Sequence, residues 1–521
     1  MPDDAHGRNE VSHSTSRVRV EHGRQRDKPD EPIEPDTSRR PSASRRHFLT
    51  GGAAVAAGAL AGAAPLGLAA AEAAPAAAAA PTAAPPAWPA GPGDPVRAQR
   101  PDAQLRAMLA EVDPARIRAT IATLVSFGTR HTLSTQTDPR RGIGAARDWI
   151  AGQLRAVAAT SGGRMVVDVS SYVQQPADRI PTATRISNVR ATLTGSADPS
   201  RVYIVSGHYD SRVTDVMDAT SDAPGADDDA SGVAVVLELA RVMARRRPDA
   251  TVVFLAVAGE EQGLYGSTFA AKQYVADGVD VQGMFTNDIV GSSTADDGTR
   301  DPNSIRLFSQ GIPSAPSAAD LARAAVGGEN DSLGRELSRF VYETAGVEVT
   351  GMNVRLEYRL DRYLRGGDHT PFIAAGYPAA RFTEPNENYA HQHQNVRVVD
   401  GVQYGDLLKF CDVDYISRVA KVNLAAMWSL AVGPSTPTGV YVDTSKLTND
   451  TTLVWDLDRA VAGYEVVWRQ TTSPTWTHVI RVGKVRRTTI DLSKGNVIFG
   501  VRAFDEAGHR SPATFPLPLP T

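Results

Sequence analysis

The stretch Thr251-Val-Val-Phe-Leu-Ala-Val-Ala-Gly-Glu-Glu-Gln-Gly-Leu-Tyr-Gly-Ser267 decides the fold. Its apolar run, Val252 to Ala258, reads as a strand of a parallel sheet buried on both faces. The glycines that follow read as a turn. Glu260 and Glu261 therefore stand at the carboxyl end of a strand, where open α/β sheets place their ligands. Two adjacent carboxylates repel each other and call for a positive partner, and a metal ion is the first candidate.

Around this strand the pattern alternates. Arg116–Ser126, Gly142–Val157 and Ser231–Arg245 carry helical apolar spacing, while Met165–Ser171, Ile186–Leu193, Val202–Ser206 and Gly283–Asn287 read as strands. Residues 100–432 are thus expected to form an α/β domain, a mostly parallel mixed sheet flanked by helices. The texture changes at Gly433-Pro434-Ser435-Thr436-Pro437. Short strands follow at Thr452–Leu457, Gly463–Gln470, Thr477–Arg481, Thr488–Leu492 and Val497–Phe504. They predict a small all-β immunoglobulin-like sandwich over residues 438–518. Trp455, the strand Tyr464–Trp468 and the strand Val501–Asp505 resemble a fibronectin type III module, although the tyrosine expected after Leu492 is absent.

The length of 521 residues suits two folded domains and a tail. A net charge of −4 with both signs interspersed gives no reason to expect a nucleic-acid partner. A single cysteine, Cys411, excludes a disulfide framework and a thiolate zinc site, which leaves His, Asp and Glu to hold any metal. Residues 1–43 are polar and charged and are expected to be disordered. Ser44-Arg45-Arg46-His47-Phe48-Leu49 and the Ala/Gly/Leu run after it resemble a twin-arginine export signal over 44–73, with Ala71-Glu72-Ala73 as the cleavage site. A transmembrane anchor is the competing reading, but the run is weakly apolar for a span. Residues 74–99 read as an Ala/Pro-rich linker. The mature protein is expected to be secreted, without a stable membrane span once the signal is removed.

Four further segments carry metal-type side chains at strand ends or in loops: Gly207-His208-Tyr209-Asp210-Ser211, Gly225-Ala226-Asp227-Asp228-Asp229-Ala230-Ser231-Gly232, Asn287-Asp288-Ile289-Val290-Gly291, and Asn388-Tyr389-Ala390-His391-Gln392-His393-Gln394-Asn395. Singly, each has a structural explanation: a core histidine, a helix cap, a solvated pair. Their joint occurrence at strand ends argues for one site.

His-x-Asp, Gly-x-x-Asp-Asp-x-Ser-Gly, Gly-Glu-Glu-x-Gly-Leu-x-Gly-Ser and Asn-Asp-x-x-Gly, in this order, resemble the M28 family of co-catalytic zinc peptidases over roughly residues 100–430, and Gly366-Gly367-Asp368-His369-Thr370-Pro371-Phe372 matches a further family segment. The resemblance implies a zinc exopeptidase fold with two Zn²⁺ ions. It places His208 and Asp288 on one ion, Glu261 and a histidine on the other, and Asp228 between them. His393 is assigned as that histidine, with His391 as its competitor. Asp227, where the family often has Asn, is a rival ligand; Asp368 is expected to support the site, and His369 is not a ligand. The catalytic assignments are Glu260 as general base and Asp210 as the carboxylate that orients a neighbouring ligand.

The implied activity is that of a secreted metallo-aminopeptidase. It would hydrolyse the N-terminal bond of a peptide or protein with a free terminus, through a metal-bridging hydroxide. Carboxypeptidase and cyclase activities are the alternatives within the family, and an inert binding protein on the same fold is the alternative outside it. The sandwich is expected to be a spacer, or else to contact polysaccharide or a cell surface; an exposed face of Trp468 and Trp476 would serve that contact, and core packing explains the two tryptophans as well.

Overall fold

Residues 88–520 are described in the computed structural model of the chain. The stretch 1–43, the export signal 44–73 and the first part of the linker lie outside the described residues.

One eight-stranded sheet carries the architecture. Its strands are β1 (Met165–Gln174), β2 (Thr184–Leu193), β3 (Asp198–His208), β4 (Ala250–Val257), β5 (Asp280–Asn287), β6 (Ser304–Phe308), β7 (Asn353–Glu357) and β8 (Ala379–Thr383), in the order β1-β2-β4-β3-β5-β8-β6-β7. Four of the seven pairings are parallel, and three of those four are consecutive, joining β4, β3, β5 and β8 at the centre. All eight residues of β4 are buried, as a strand covered on both faces requires. The alternation is explicit: Val252, Phe254 and Ala256 pack into one apolar layer, and Val253, Leu255 and Val257 into the opposite one.

The helices Ala103–Glu111, Pro114–Ser126, Gly142–Ala158, Ala230–Met243 and Val413–Val432 contribute to the first layer, and Tyr265–Ala276 and His369–Ala374 to the second. The chain leaves β3 through Ala230–Met243 to reach β4, then crosses back through Tyr265–Ala276 to β5 on the other side of β3. The carboxyl end of β3 is therefore a topological switch point, with a crevice between diverging connections. Gly232 allows close approach there: a Cβ on it would lie 2.2 Å from the carbonyl oxygen of Asn287. Gly259 adopts φ +75° and turns the chain away from the end of β4.

The C-terminal part is a sandwich of two four-stranded sheets. One contains Gly463–Gln470, His478–Gly483 and Val497–Phe504. The other contains Tyr441–Val442, Thr451–Val454, Arg487–Ile490 and Leu517–Pro518, with Leu517–Pro518 parallel to Tyr441–Val442. One sequence expectation is corrected here, and one open alternative is decided. Asp94–Pro95, inside the expected linker, pairs antiparallel with Val479 and His478 and completes the first of these sheets. Trp468 and Trp476 present no exposed aromatic face, being 1% and 4% exposed. Trp468 stacks on His478 at 3.8 Å and donates to the Pro92 carbonyl at 2.7 Å.

Trp476 donates to Glu336 at 3.0 Å, at the seam between sandwich and α/β domain. Along that seam Arg469 grips Asp331 through both carboxylate oxygens, at 2.6 and 2.8 Å, and Arg502 bridges Glu343 and Glu465 at 2.6 and 2.8 Å. Among the described residues, no helix is long and apolar enough to cross a membrane.

Candidate metal centre

Each candidate side chain is delivered by the end of a central strand or the loop beyond it. His208 is the last residue of β3, Glu260 and Glu261 follow the Gly259 turn after β4, and Asp288 follows β5. Asp228 lies just before helix Ala230–Met243, and His393 lies in the loop after β8.

These residues form two clusters with one member in common. His208, Asp228 and Asp288 make the first, and Asp228, Glu261 and His393 the second, each with its ligand atoms within 4.8 Å of one another. Nε2 of His208 is 3.0 Å from Oδ1 of Asp228 and 3.8 Å from Oδ1 of Asp288. Nε2 of His393 is 2.7 Å from Oδ2 of Asp228 and 3.2 Å from Oε1 of Glu261. The two oxygens of Asp228 thus face different histidines. His391 lies outside both clusters and stacks on Phe410 at 3.6 Å. Asp227 is also outside, accepting from the backbone N–H of Gly291 at 2.6 Å. His369 contacts the Leu360 carbonyl through Nε2 at 2.9 Å. Buried Asp368 has its pKa pushed up by burial to about 7.

The clusters pass a test for a cation. Nε2 of His208 and Oε1 of Glu261 are buried and meet only other members of the ligand sets, at 3.0 and 3.2 Å, without hydrogen-bond geometry. Buried polar atoms without partners are costly, and a bound cation removes the cost. The donors are imidazole nitrogen and carboxylate oxygen, a set that suits zinc. Burial alone would raise the Asp228 carboxyl, but His393 and His208 hold it well below the usual carboxylate range.

Glu260 belongs to neither cluster. It lines a cleft of about 300 Å³ together with Asp228, Glu261, Asp288 and His393. Burial raises its carboxyl well above the usual range, against the pull of His208. Asp210 fastens the glutamate turn to the end of β3. Its Oδ1 accepts from the N–H of Glu260 at 3.3 Å, and its Oδ2 from the N–H of Glu261 at 3.1 Å and the Thr132 hydroxyl at 2.9 Å. Nδ1 of His208 is 3.2 Å from the Asp210 carbonyl and 3.6 Å from its Oδ1.

Several further residues complete the centre, and among them Asp229 lies in one of the quoted motifs. Asp406 accepts the N–H groups of Asp227 and Asp228, each at 2.8 Å, and so fixes the loop that carries Asp228. Asp229 caps its helix at Gly232 N–H and also accepts His208 N–H, both at 2.9 Å. Arg381 bridges Asp288 and Asp361, at 2.8 Å each. Arg212 donates from Nε to Oε2 of Glu261 at 2.9 Å, and its Nη2 lies 2.7 Å from Nδ1 of His393. A guanidinium has only donors, so this contact is a hydrogen bond only when Nδ1 is the unprotonated nitrogen.

The model of Peptidase family M28 matches residues 188–405, a span holding every member of both clusters. A probable zinc metalloprotease of Pyricularia oryzae is 59% identical over 440 residues, covering 82% of this chain and 88% of that protein. A probable zinc metalloprotease of Leptosphaeria maculans is 57% identical over 421 residues, covering 80% and 98%. The chain belongs to peptidase family M28. Among solved structures, LapB from Legionella pneumophila is similar at 19% identity with a TM-score of 0.47, covering 65% of this chain and 79% of that one.

Proposed function

We propose that this protein is an exported di-zinc exopeptidase, most simply an aminopeptidase. One observation carries the reading: two ligand clusters share Asp228, and a glutamate that belongs to neither stands beside them in an open cleft. His208 and Asp288 would hold one zinc, Glu261 and His393 the other, and Asp228 both. Family membership and two relatives described as probable zinc metalloproteases support the class of chemistry.

Zinc, when bound, supplies Lewis acidity toward a water and toward the scissile carbonyl. The remaining work falls to the chain. Asp210 and Asp406 hold the ligand loops in register. Glu260 takes a proton from the attacking water and returns it to the leaving nitrogen, so that water adds across the broken C–N bond. Its burial favours a carboxyl that can carry that proton in transit. Selection for a chain end follows if the free ammonium of the substrate pairs with Glu260 and the neighbouring carboxylates. Export rests on the segment 44–73.

Zinc-dependent release of aniline from an aminoacyl anilide tests the reading. Glu260→Gln is expected to lose about a hundredfold or more in kcat while keeping its zinc. Full activity in that variant would remove Glu260 from the mechanism. Zinc-loaded protein that cyclises N-terminal glutamine but hydrolyses nothing would favour the cyclase alternative, and protein that takes up no zinc would favour the binding-protein alternative.

A further inference from the structure

The cleft beside the two clusters is walled by arginines. Arg179, Arg212, Arg362, Arg365 and Arg381 all line it. Three of them are committed to carboxylates: Arg381 to Asp288 and Asp361, Arg362 to Asp361 and Glu387, and Arg212 to Glu261. The other two differ. Arg179 donates to the backbone carbonyl of Glu261 at 3.1 Å, and Arg365 to the side-chain oxygen of Gln392 at 3.1 Å. Neither forms an ion pair among the described residues.

A guanidinium carries five N–H donors, so most of each fork has no protein acceptor. The two arginines come from separate loops, Arg179 between β1 and β2 and Arg365 between β7 and helix His369–Ala374. Both loops hold a non-glycine residue in the left-handed region at the cleft, Arg179 at φ 56° and Leu364 at φ 56°. That conformation is uncommon for side-chain-bearing residues and costs energy, so it marks loops whose shape is held for a purpose. Two unpaired forks facing one cleft match the planar, two-oxygen geometry of a carboxylate.

We propose that the cleft recognises a carboxylate of the substrate through Arg179 and Arg365, so that the enzyme prefers peptides with an acidic group beside the bond it cuts. This rests on the exopeptidase reading above. The carboxylate has two sources, the side chain of an aspartyl or glutamyl residue, or the free C-terminus of a very short peptide.

Two matched pairs of substrates separate these sources on the zinc-loaded full chain. Glutamyl and glutaminyl anilides differ only in side-chain charge, and leucyl-glycine and its C-terminal amide only in terminal charge. In at least one pair the charged member is expected to have a kcat/KM about tenfold higher, and the ratio is expected to collapse toward one in the double variant Arg179→Gln/Arg365→Gln. Ratios near one in both pairs, or a preference that survives in the double variant, would overturn the proposal.

Calorimetric titration with glutarate provides a second readout that needs no turnover. Binding to the parent protein and its loss in the folded double variant support the carboxylate site, even if no peptide is hydrolysed and the peptidase reading fails. Equal binding to both proteins, or to neither, would count against it.

Discussion

Replacing Asp406 by Asn should weaken both halves of the metal centre without touching a metal ligand. Each carboxylate oxygen of Asp406 accepts one backbone N–H, from Asp227 and from Asp228, at 2.8 Å. Asparagine keeps one acceptor and turns the other arm into a donor that faces an N–H. The lost charge-assisted bond is worth about 1.5–3 kcal/mol, and the stranded buried N–H adds about 1–3 kcal/mol. Part of this cost lowers the stability of the fold. The rest lets the Asp228 loop drift, which should lower zinc affinity by about 10–100-fold, as removal of an outer support does in other zinc sites. Because Asp228 belongs to both clusters, both affinities should fall together. Burial pushes the Asp406 carboxyl up to about 7, against the two N–H donors, so the comparison belongs at a pH of about 8, where it is ionised. Competition against a chromophoric chelator resolves the two zinc equivalents, and thermal unfolding of zinc-free protein measures the fold. Affinities within about threefold of the parent at both sites, or a loss at one site alone, would refute the reasoning.

Three other outcomes follow from the same geometry. Arg212→Met should tighten zinc at the Glu261–His393 cluster by about tenfold, because a metal at Nε2 needs the imidazole proton on Nδ1, where Arg212 offers only donors; weaker zinc binding in a chelator competition would count against this. Burial opposes protonation of His208, but Asp229, Asp210, Asp228 and Asp288 outweigh it and hold its pKa well above the ordinary value. Zinc uptake at neutral pH should therefore release a proton and strengthen as pH rises, whereas the contribution of the His208 pairs to zinc-free stability is complete below about pH 6.5 and is lost as pH rises through the raised pKa. Proton release read with an indicator dye, absent or of opposite sign, would contradict it. Asp331→Ala should cost about 3–5 kcal/mol, because it strands Arg469 in a buried seam and leaves Arg339 with Glu336 as its one carboxylate partner; an unchanged denaturant midpoint would show that the sandwich is not locked to its neighbour as drawn.

The elements nearest the centre were legible because their cause is local. Strands covered on both faces announce themselves as unbroken apolar runs, and β3, β4 and β5 end in the side chains that form the clusters. Asp228 and Glu261 could be placed from short motifs because a single loop or turn carries each of them. His393 and His391 lie two residues apart, so spacing alone could not separate them; the stacking of His391 on Phe410 is a tertiary contact. Arg212, Arg381 and Asp406 carry no motif at all, and their roles exist only when distant segments meet. The same holds for the antiparallel pairing of β6 with β8 and for Asp94–Pro95 joining a sheet built mostly from residues beyond 460. Trp468 and Trp476 suited a surface or a core equally, because the sequence does not reveal which side chains meet a neighbouring domain. Both are buried, which removes the aromatic basis for polysaccharide contact.

The central claim is that one aspartate serves two ions, and zinc content per chain tests it most directly. Elemental analysis of purified, zinc-dialysed protein should give about two equivalents for the parent, near one for Asp288→Ala, and close to none for Asp228→Ala. A parent that saturates at one equivalent, or an Asp228→Ala variant that still holds one ion as tightly as the parent, would contradict it.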